Sequence, residues 1–450
     1  MYQAINFGDI AFWLSLSSLS LIILYAILVF RNIDPLIATA ICVGLGFLFN
    51  KSNPLEIGKT FENALSSFLA LVGFIIMLGR GLGEVLTATK TSQTLVHKIV
   101  YGIGVNTKTR VKIGVIVSSI TIVGILGTLA GGLAILAPIL RPIAARVGLC
   151  RPSLAVLMQA SGEEALILGP FTPPVVAILG VTGLSYQTML IYAAIPISIV
   201  TLSVTWIMAN ILQTQYANEL FEENENSNHN NDSYNNKTRN YSKVKNVEQH
   251  TEKFKPTKNQ NITAIFFILG FIACIIYGLT THASTSYVIF VMLFLAISIG
   301  LIGGLSLPKI FELILDGMKK NFHLFFIFLL LDPFLNLIQS AGGFHALTEL
   351  FIPLEHIGGK SMVAILTGIT GAFGMPAASA AVIKMLSQMF TPIAIEMQLS
   401  TTTFAFSMLL ATRITNFAYP GANMFAAMGF AESENIKAMI KSGLMVTLIQ

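Results

Sequence analysis

Apolar runs of membrane-spanning length alternate with short polar or basic stretches along most of this chain. Ala11–Phe30 is the first of them and is long enough to span a bilayer. It exceeds a signal-peptide core and lacks a basic leader and a small-residue cleavage site, so it reads as a retained first helix. Pro35–Phe49 follows, then Ala64–Leu86, where Arg80 and Glu84 are spaced to pair on one helix face at the membrane surface. Thr89–Lys112 is polar and carries Lys90, Lys98, Lys108, Arg110 and Lys112, the pattern of a cytoplasmic loop. Ile113–Leu140 is apolar, is interrupted by Gly124, Gly127, Gly131 and Gly132, and ends in the basic cluster Arg141, Arg146 and Arg151. Basic residues at both ends put both ends on one side, so the stretch predicts a re-entrant helical hairpin turning at its glycines. The alternative is one ordinary span whose glycines allow close helix packing.

Pro152–Ile178 departs most sharply from an apolar span. It carries the adjacent acids Glu163 and Glu164, and then Gly169-Pro170-Phe171-Thr172-Pro173-Pro174. A charge inside lipid costs roughly 2.5–3.5 kcal/mol even on a lenient scale, and broken backbone at membrane depth survives only where protein or a water-filled cavity satisfies it. Together they mark a transport site. Thr188–Leu212 returns inward. Gln213–Gln260, rich in Asn, Glu, Lys and Ser, cannot bury an apolar core and predicts a disordered cytoplasmic linker. Two more spans follow, Asn261–Leu279 and Ser286–Leu305, then an amphipathic surface segment, Pro308–Asn321, and a span, Phe322–Gln339, that contains Asp332-Pro333. Met362–Phe390 repeats the Gly/Ala-rich theme. Phe404–Met428 is a second broken span, with Thr412, Arg413 and Asn416 before Pro420-Gly421 and Asn423 after it. A polar segment, Glu432–Lys437, leads into a last apolar stretch that is short for a span.

Composition fixes the class. Of 450 residues, 54% are hydrophobic and 11% charged, against about 25% charged in a soluble domain. The chain is therefore an all-α, multi-pass integral membrane protein in contact with the lipid bilayer. Its net charge of +5 gives no basic field for nucleic acid. Three separate cysteines and seven scattered histidines show no metal spacing and no nucleophile–base set. No enzyme and no cofactor is expected, apart from Na⁺ as a coupling ion.

The two sides of the linker echo one another. Gly124–Ala134 can be laid over Gly371–Ala381 with four of eleven positions identical, and the broken span at Ser161–Pro174 then falls on Thr412–Asn423. Counting spans from the basic loop puts the N-terminus outside and makes the second hairpin enter from the opposite side. The reading is two inverted-topology repeats. Residues 1–63 form N-terminal scaffold spans, and 64–212 a first repeat (hairpin 113–145, broken helix 152–180). Residues 213–260 are the linker, 261–305 further scaffold, and 306–450 a second repeat (hairpin 360–392, broken helix 400–428). Such repeats place their site at the midplane between them.

This pattern resembles the ion transporter superfamily. Within it, Ala160–Val175 is similar to the same region of anaerobic C4-dicarboxylate carriers, gluconate permeases and, more distantly, sodium/proton antiporters. The resemblance implies a secondary active transporter of the bacterial cytoplasmic membrane, working by alternating access. Carried over by position, it implicates Gly127, Thr128, Ser161, Glu163, Thr172 and Pro173 in one half, and Gly374, Ser379, Thr412, Asn416 and Asn423 in the other. The leading expectation is a carrier of a small organic anion coupled to Na⁺ or H⁺. In it Arg413 is the counter-charge to a carboxylate, and Glu163, Glu164 and Asp332 are the coupling acids. The competing structural role for Arg413 is to neutralise one of the glutamates across the repeat interface. The alternative function is a Na⁺/H⁺ antiporter with Glu163 or Glu164 as the exchanging carboxylate. Contacts through the early spans leave room for a homodimer.

Overall fold

Capping chemistry and prolines set many of the helix starts. The computed structural model describes residues 10–31, 33–219, 254–281, 283, 285–371 and 379–450, and every regular element among them is helical. Four helices lead the chain: α1 (Ile10–Ser17), α2 (Ser20–Phe30), α3 (Pro35–Phe49) and α4 (Pro54–Leu65). Asp34 caps α3, and Asn53 and Glu56 form a capping box on α4. Next come α5 (Phe68–Ala88), α6 (Thr91–Ile103), α7 (Lys108–Leu126), α8 (Leu129–Arg146), α9 (Arg151–Leu168) and α10 (Pro173–Thr182). A short α11 (Tyr186–Met189) runs through a π-helical turn into α12 (Ile195–Gln215). The second half comprises α13 (Lys258–Thr280), α14 (Tyr287–Ile302), α15 (Leu307–Lys320), α16 (Phe322–Ser340) and α17 (Gly343–Thr370), then α18 (Ser379–Glu396), α19 (Thr401–Ala418), α20 (Ala422–Phe430) and α21 (Ile436–Ile449). Eight stretches among the described residues are long and apolar enough to cross a bilayer, including Arg151–Thr182 across the break between α9 and α10.

The helices sort into two packed groups. α5 lies against α14, α15 and α16, and α16 also packs on α3. The other group interleaves the two halves of the chain: α9 contacts α7, α12, α20 and α21, while α10 contacts α18 and α19. The site lies where these groups meet.

Several expectations need correction. Thr89–Lys112 is not a loop, because Leu95, Val96 and Val100 form a buried stripe that holds α6 against α7 and α13. Lys112 is itself buried and donates to Asn210 Oδ1 at 2.6 Å. The span predicted from Ala64 starts at Phe68 behind the Ser67 cap, and Ala64 lies in the last turn of the unanticipated amphipathic α4. Helices also reach into both ends of the predicted linker, to Gln215 and from Lys258, while residues 220–253 lie outside the described residues. Shifted by 250 positions, both bounds of α9 coincide with those of α19, and α8 ends where α18 does. The overlay of Gly124 on Gly371 implies 247.

Candidate functional site

The site is built on two helix breaks and one helix–helix turn. α7 and α8 pack on each other and are joined by Gly127 and Thr128. Gly127 adopts φ +67°, the left-handed conformation that suits glycine, and a β-carbon there would meet the Pro173 ring at 3.5 Å. The turn therefore sits on the start of α10. Between α9 and α10, prolines remove amide donors and leave carbonyls of α9 without helical partners. Thr172 fills that role, its hydroxyl lying 2.5 Å from the Leu166 carbonyl and 2.8 Å from that of Gly169. Ser161 is committed to its own helix, donating to the Leu157 carbonyl at 2.5 Å.

Beside these breaks lies a fully buried group of charges. Arg413, Glu163 and Glu164 have no exposed side-chain surface. The Arg413 Nη1 atom is 3.6 Å from Glu163 Oε2 and 3.5 Å from Glu164 Oε1, and it donates to the Glu163 carbonyl at 3.0 Å. Its Nε and Nη2 donate to Thr412 Oγ1 at 3.2 and 3.0 Å. Asn416 Nδ2 donates to Glu163 Oε2 at 2.7 Å and Asn423 Nδ2 to Glu163 Oε1 at 2.8 Å. Ser198 of α12, which sequence reasoning missed, donates to Glu164 Oε2 at 2.8 Å. The effective penalty for burying each ion is several kcal/mol, offset only by close pairing and hydrogen bonds. Here one guanidinium faces two carboxylates, so one negative charge is unbalanced when both acids are ionised.

A cavity of about 370 Å³ adjoins this group. Gly127, Thr128, Pro173, Ser379 and Asn423 all line it. Helices α8, α10 and α20 begin at its wall, and Ser379, the first described residue of α18, lies there too. Helix N-termini carry partial positive charge and free amide donors, and so favour anions. Pro173 and Pro174 contribute no amide hydrogen, which leaves the first amide of α10 to Val175. Two side chains tie cavity to charges: Asn423 bonds Glu163, and Ser379 Oγ lies 3.1 Å from the Asn416 amide that also bonds Glu163.

Of the sequence candidates, Glu163, Glu164, Thr412, Arg413, Asn416 and Asn423 thus form one cluster. Gly127, Thr128, Pro173 and Ser379 meet it at the cavity, and Thr172 supports the break. Asp332 is not brought in. It sits on α16, where Asn336 Nδ2 donates to it at 2.9 Å. Gly374 lies outside the described residues. Among those residues no three of His, Cys, Asp or Glu are grouped to hold a metal ion.

Broken helices around buried charge, in a bundle with many membrane-length helices, define a multi-span membrane transport protein. The chain belongs to the DctM family, described as the DctM component of the tripartite ATP-independent periplasmic transporter, whose model matches residues 19–447. No curated protein matches it. The family is a transporter component and not an enzyme. It is a secondary transporter family related to the ion transporter superfamily, while the C4-dicarboxylate carriers and gluconate permeases are not what matched. Membership gives no support to the Na⁺/H⁺ antiporter alternative.

Proposed function

We propose that this chain is the membrane-spanning carrier of a tripartite system that moves a small organic anion by alternating access, coupled to Na⁺ or H⁺. The observation that carries this reading is the cavity at which helix N-termini converge beside a buried group with an excess carboxylate. The helix ends favour an anion, and the excess carboxylate favours a cation or a proton. Asn423 and Ser379 join the two, so occupancy of one alters the donors available to the other. Arg413 is engaged by Thr412, the Glu163 carbonyl and both acids. In this reading it neutralises the glutamates and does not grip the substrate.

The coinciding bounds of α9 and α19, with the matching ends of α8 and α18, support two repeats, and in this reading their topology is inverted. α7–α8, and the part of α17 beyond its non-helical Gly359 together with α18, would be the re-entrant hairpins. The word tripartite implies two further components, which the sequence reading did not name. The word periplasmic supports a bacterial cytoplasmic membrane, and in this reading the basic residues between the spans put the N-terminus outside and the linker inside. Reconstituted with its two partner components in proteoliposomes, the chain is expected to take up radiolabelled succinate or gluconate only under an imposed Na⁺ or pH gradient. Uptake that ignores both gradients would refute the coupling.

A further inference from the structure

Arg413 leaves the transported anion without a counter-charge, and the opposite wall of the cavity offers one. Arg80 of α5 and Lys320 at the end of α15 both line it. Glycines bring them together. A β-carbon on Gly317 would lie 2.6 Å from the backbone of Arg80 and Gly81, and one on Gly81 would lie 2.9 Å from the Ile314 carbonyl. α5 and α15 therefore touch backbone to backbone, and Lys320, one turn beyond Gly317, lands beside Arg80.

Both cations use one carboxylate oxygen. Glu84 Oε1 is 3.3 Å from Arg80 Nη2 and 2.7 Å from Lys320 Nζ. One positive charge is left over. A guanidinium is built to hold a carboxylate through two parallel bonds, and here Arg80 meets Glu84 through one nitrogen. Its Nη1 lies on the other side, against the helix turn: a methyl group on Gly131 would collide with both Arg80 Nη1 and Thr128 Oγ1. That Thr128 hydroxyl is buried with no hydrogen-bond partner. A second cavity of about 250 Å³ lies beyond, lined by Arg80, Lys320, Thr128 and Glu84. The pair thus borders both spaces.

We propose that Arg80, assisted by Lys320, recognises a carboxylate of the transported anion, and that Glu84 is the resident carboxylate the anion displaces. The proposal rests on the cavity being the anion's site. Arg80 keeps one nitrogen for Glu84 or the incoming carboxylate and aims the other at the Thr128 hydroxyl and the start of α8. Lys320 is half-exposed and contributes charge more than geometry.

The experiment is initial-rate uptake of radiolabelled succinate and gluconate by the chain reconstituted with its partner components, for wild type, Arg80→Gln, Arg80→Lys and Glu84→Gln. Arg80→Gln is expected to raise KM about tenfold, the loss of one charge-assisted contact, with a smaller change in maximal rate. Arg80→Lys recovers part of it. Glu84→Gln, which removes the competitor, is expected to lower KM several-fold. A purely structural ion pair predicts instead that Arg80→Gln and Glu84→Gln act in the same direction. A KM that is unchanged or raised in Glu84→Gln overturns the proposal, even if Arg80→Gln fails to fold. A wild type that takes up neither probe under any gradient overturns the transport reading itself.

Discussion

The protein holds two clusters of three charges, and they are opposite in composition and in setting. Glu163, Glu164 and Arg413 are two acids around one base, with no exposed side-chain surface. Arg80, Lys320 and Glu84 are two bases around one acid, and their side chains are 23%, 51% and 21% exposed. The first takes neutral donors from Asn416, Asn423 and Ser198, which leaves Glu164 Oε1 with the Arg413 guanidinium at 3.5 Å and no hydrogen bond. The second has an arginine that meets its acid through a single nitrogen. Complete burial and three neutral donors hold the acidic cluster in place. Partial exposure makes the basic one adjustable, which a site that binds and releases an anion requires. They lie on different helix groups, the acidic cluster on α9 and α19, the basic one on α5 and α15, so relative motion of the groups would change the distance between them.

The largest effect tests that difference in setting. Arg413→Ala leaves two buried carboxylates without a cation, and removing one partner of a buried pair costs about 3–5 kcal/mol. Thermal unfolding in detergent micelles should show a severe loss of stability. Arg80→Gln opens a partly exposed pair, for which the expected cost is about 0–1 kcal/mol. Equal losses from the two substitutions would erase the distinction. Glu163→Gln falls between them. It leaves Arg413 with Glu164, so the fold survives, and the net negative charge disappears. Anion uptake should then cease to respond to the Na⁺ or pH gradient, and a preserved gradient response would move the coupling site elsewhere.

What the sequence revealed follows from the cost of charge in lipid. Glu163, Glu164 and Arg413 stand out because nothing but function or pairing explains ionisable residues in such apolar stretches, and the prolines at 170, 173 and 174 announce the break beside them. The basic cluster was legible only as the local pair Arg80 and Glu84. Lys320 joins it through the contact of Gly317 with Gly81, a pairing of distant glycines that carries no pattern along the chain. The overlay of Gly124 on Gly371 and the shared bounds of α9 and α19 differ by three positions, because Gly, Ala and Ser runs resemble themselves under small shifts. α6 was hidden because its apolar stripe is interleaved with His97, Lys98 and other polar residues.

Two intermediate effects sharpen the comparison. Gly317→Val forces bulk into the α5–α15 contact, and overpacking costs about 1–3 kcal/mol. It should also separate Lys320 from Arg80, raising KM for succinate without altering gradient dependence. Asn423→Ala strips the donor from Glu163 Oε1, and an orphaned buried acceptor costs about 1–3 kcal/mol. Since Asn423 also lines the cavity, this variant should disturb both KM and coupling. An Asn423→Ala protein altered in KM alone would mean that the two clusters work independently.

The smallest effect belongs to Asp332, an acid that sequence reasoning grouped with Glu163 and Glu164. It stands on α16, in the helix group with α5, and is partly exposed. Its Oδ2 accepts from Asn336 at 2.9 Å, and an asparagine in its place keeps a carbonyl for that bond. Asp332→Asn should therefore change stability by less than about 0.5 kcal/mol and leave the number of ions moved per anion unchanged, measured as parallel ²²Na⁺ and succinate fluxes. A changed ratio would place a coupling acid outside the buried cluster. Coupling would then depend on the α5–α16 group as well, and the division of labour between a buried acidic site and an adjustable basic one would fail.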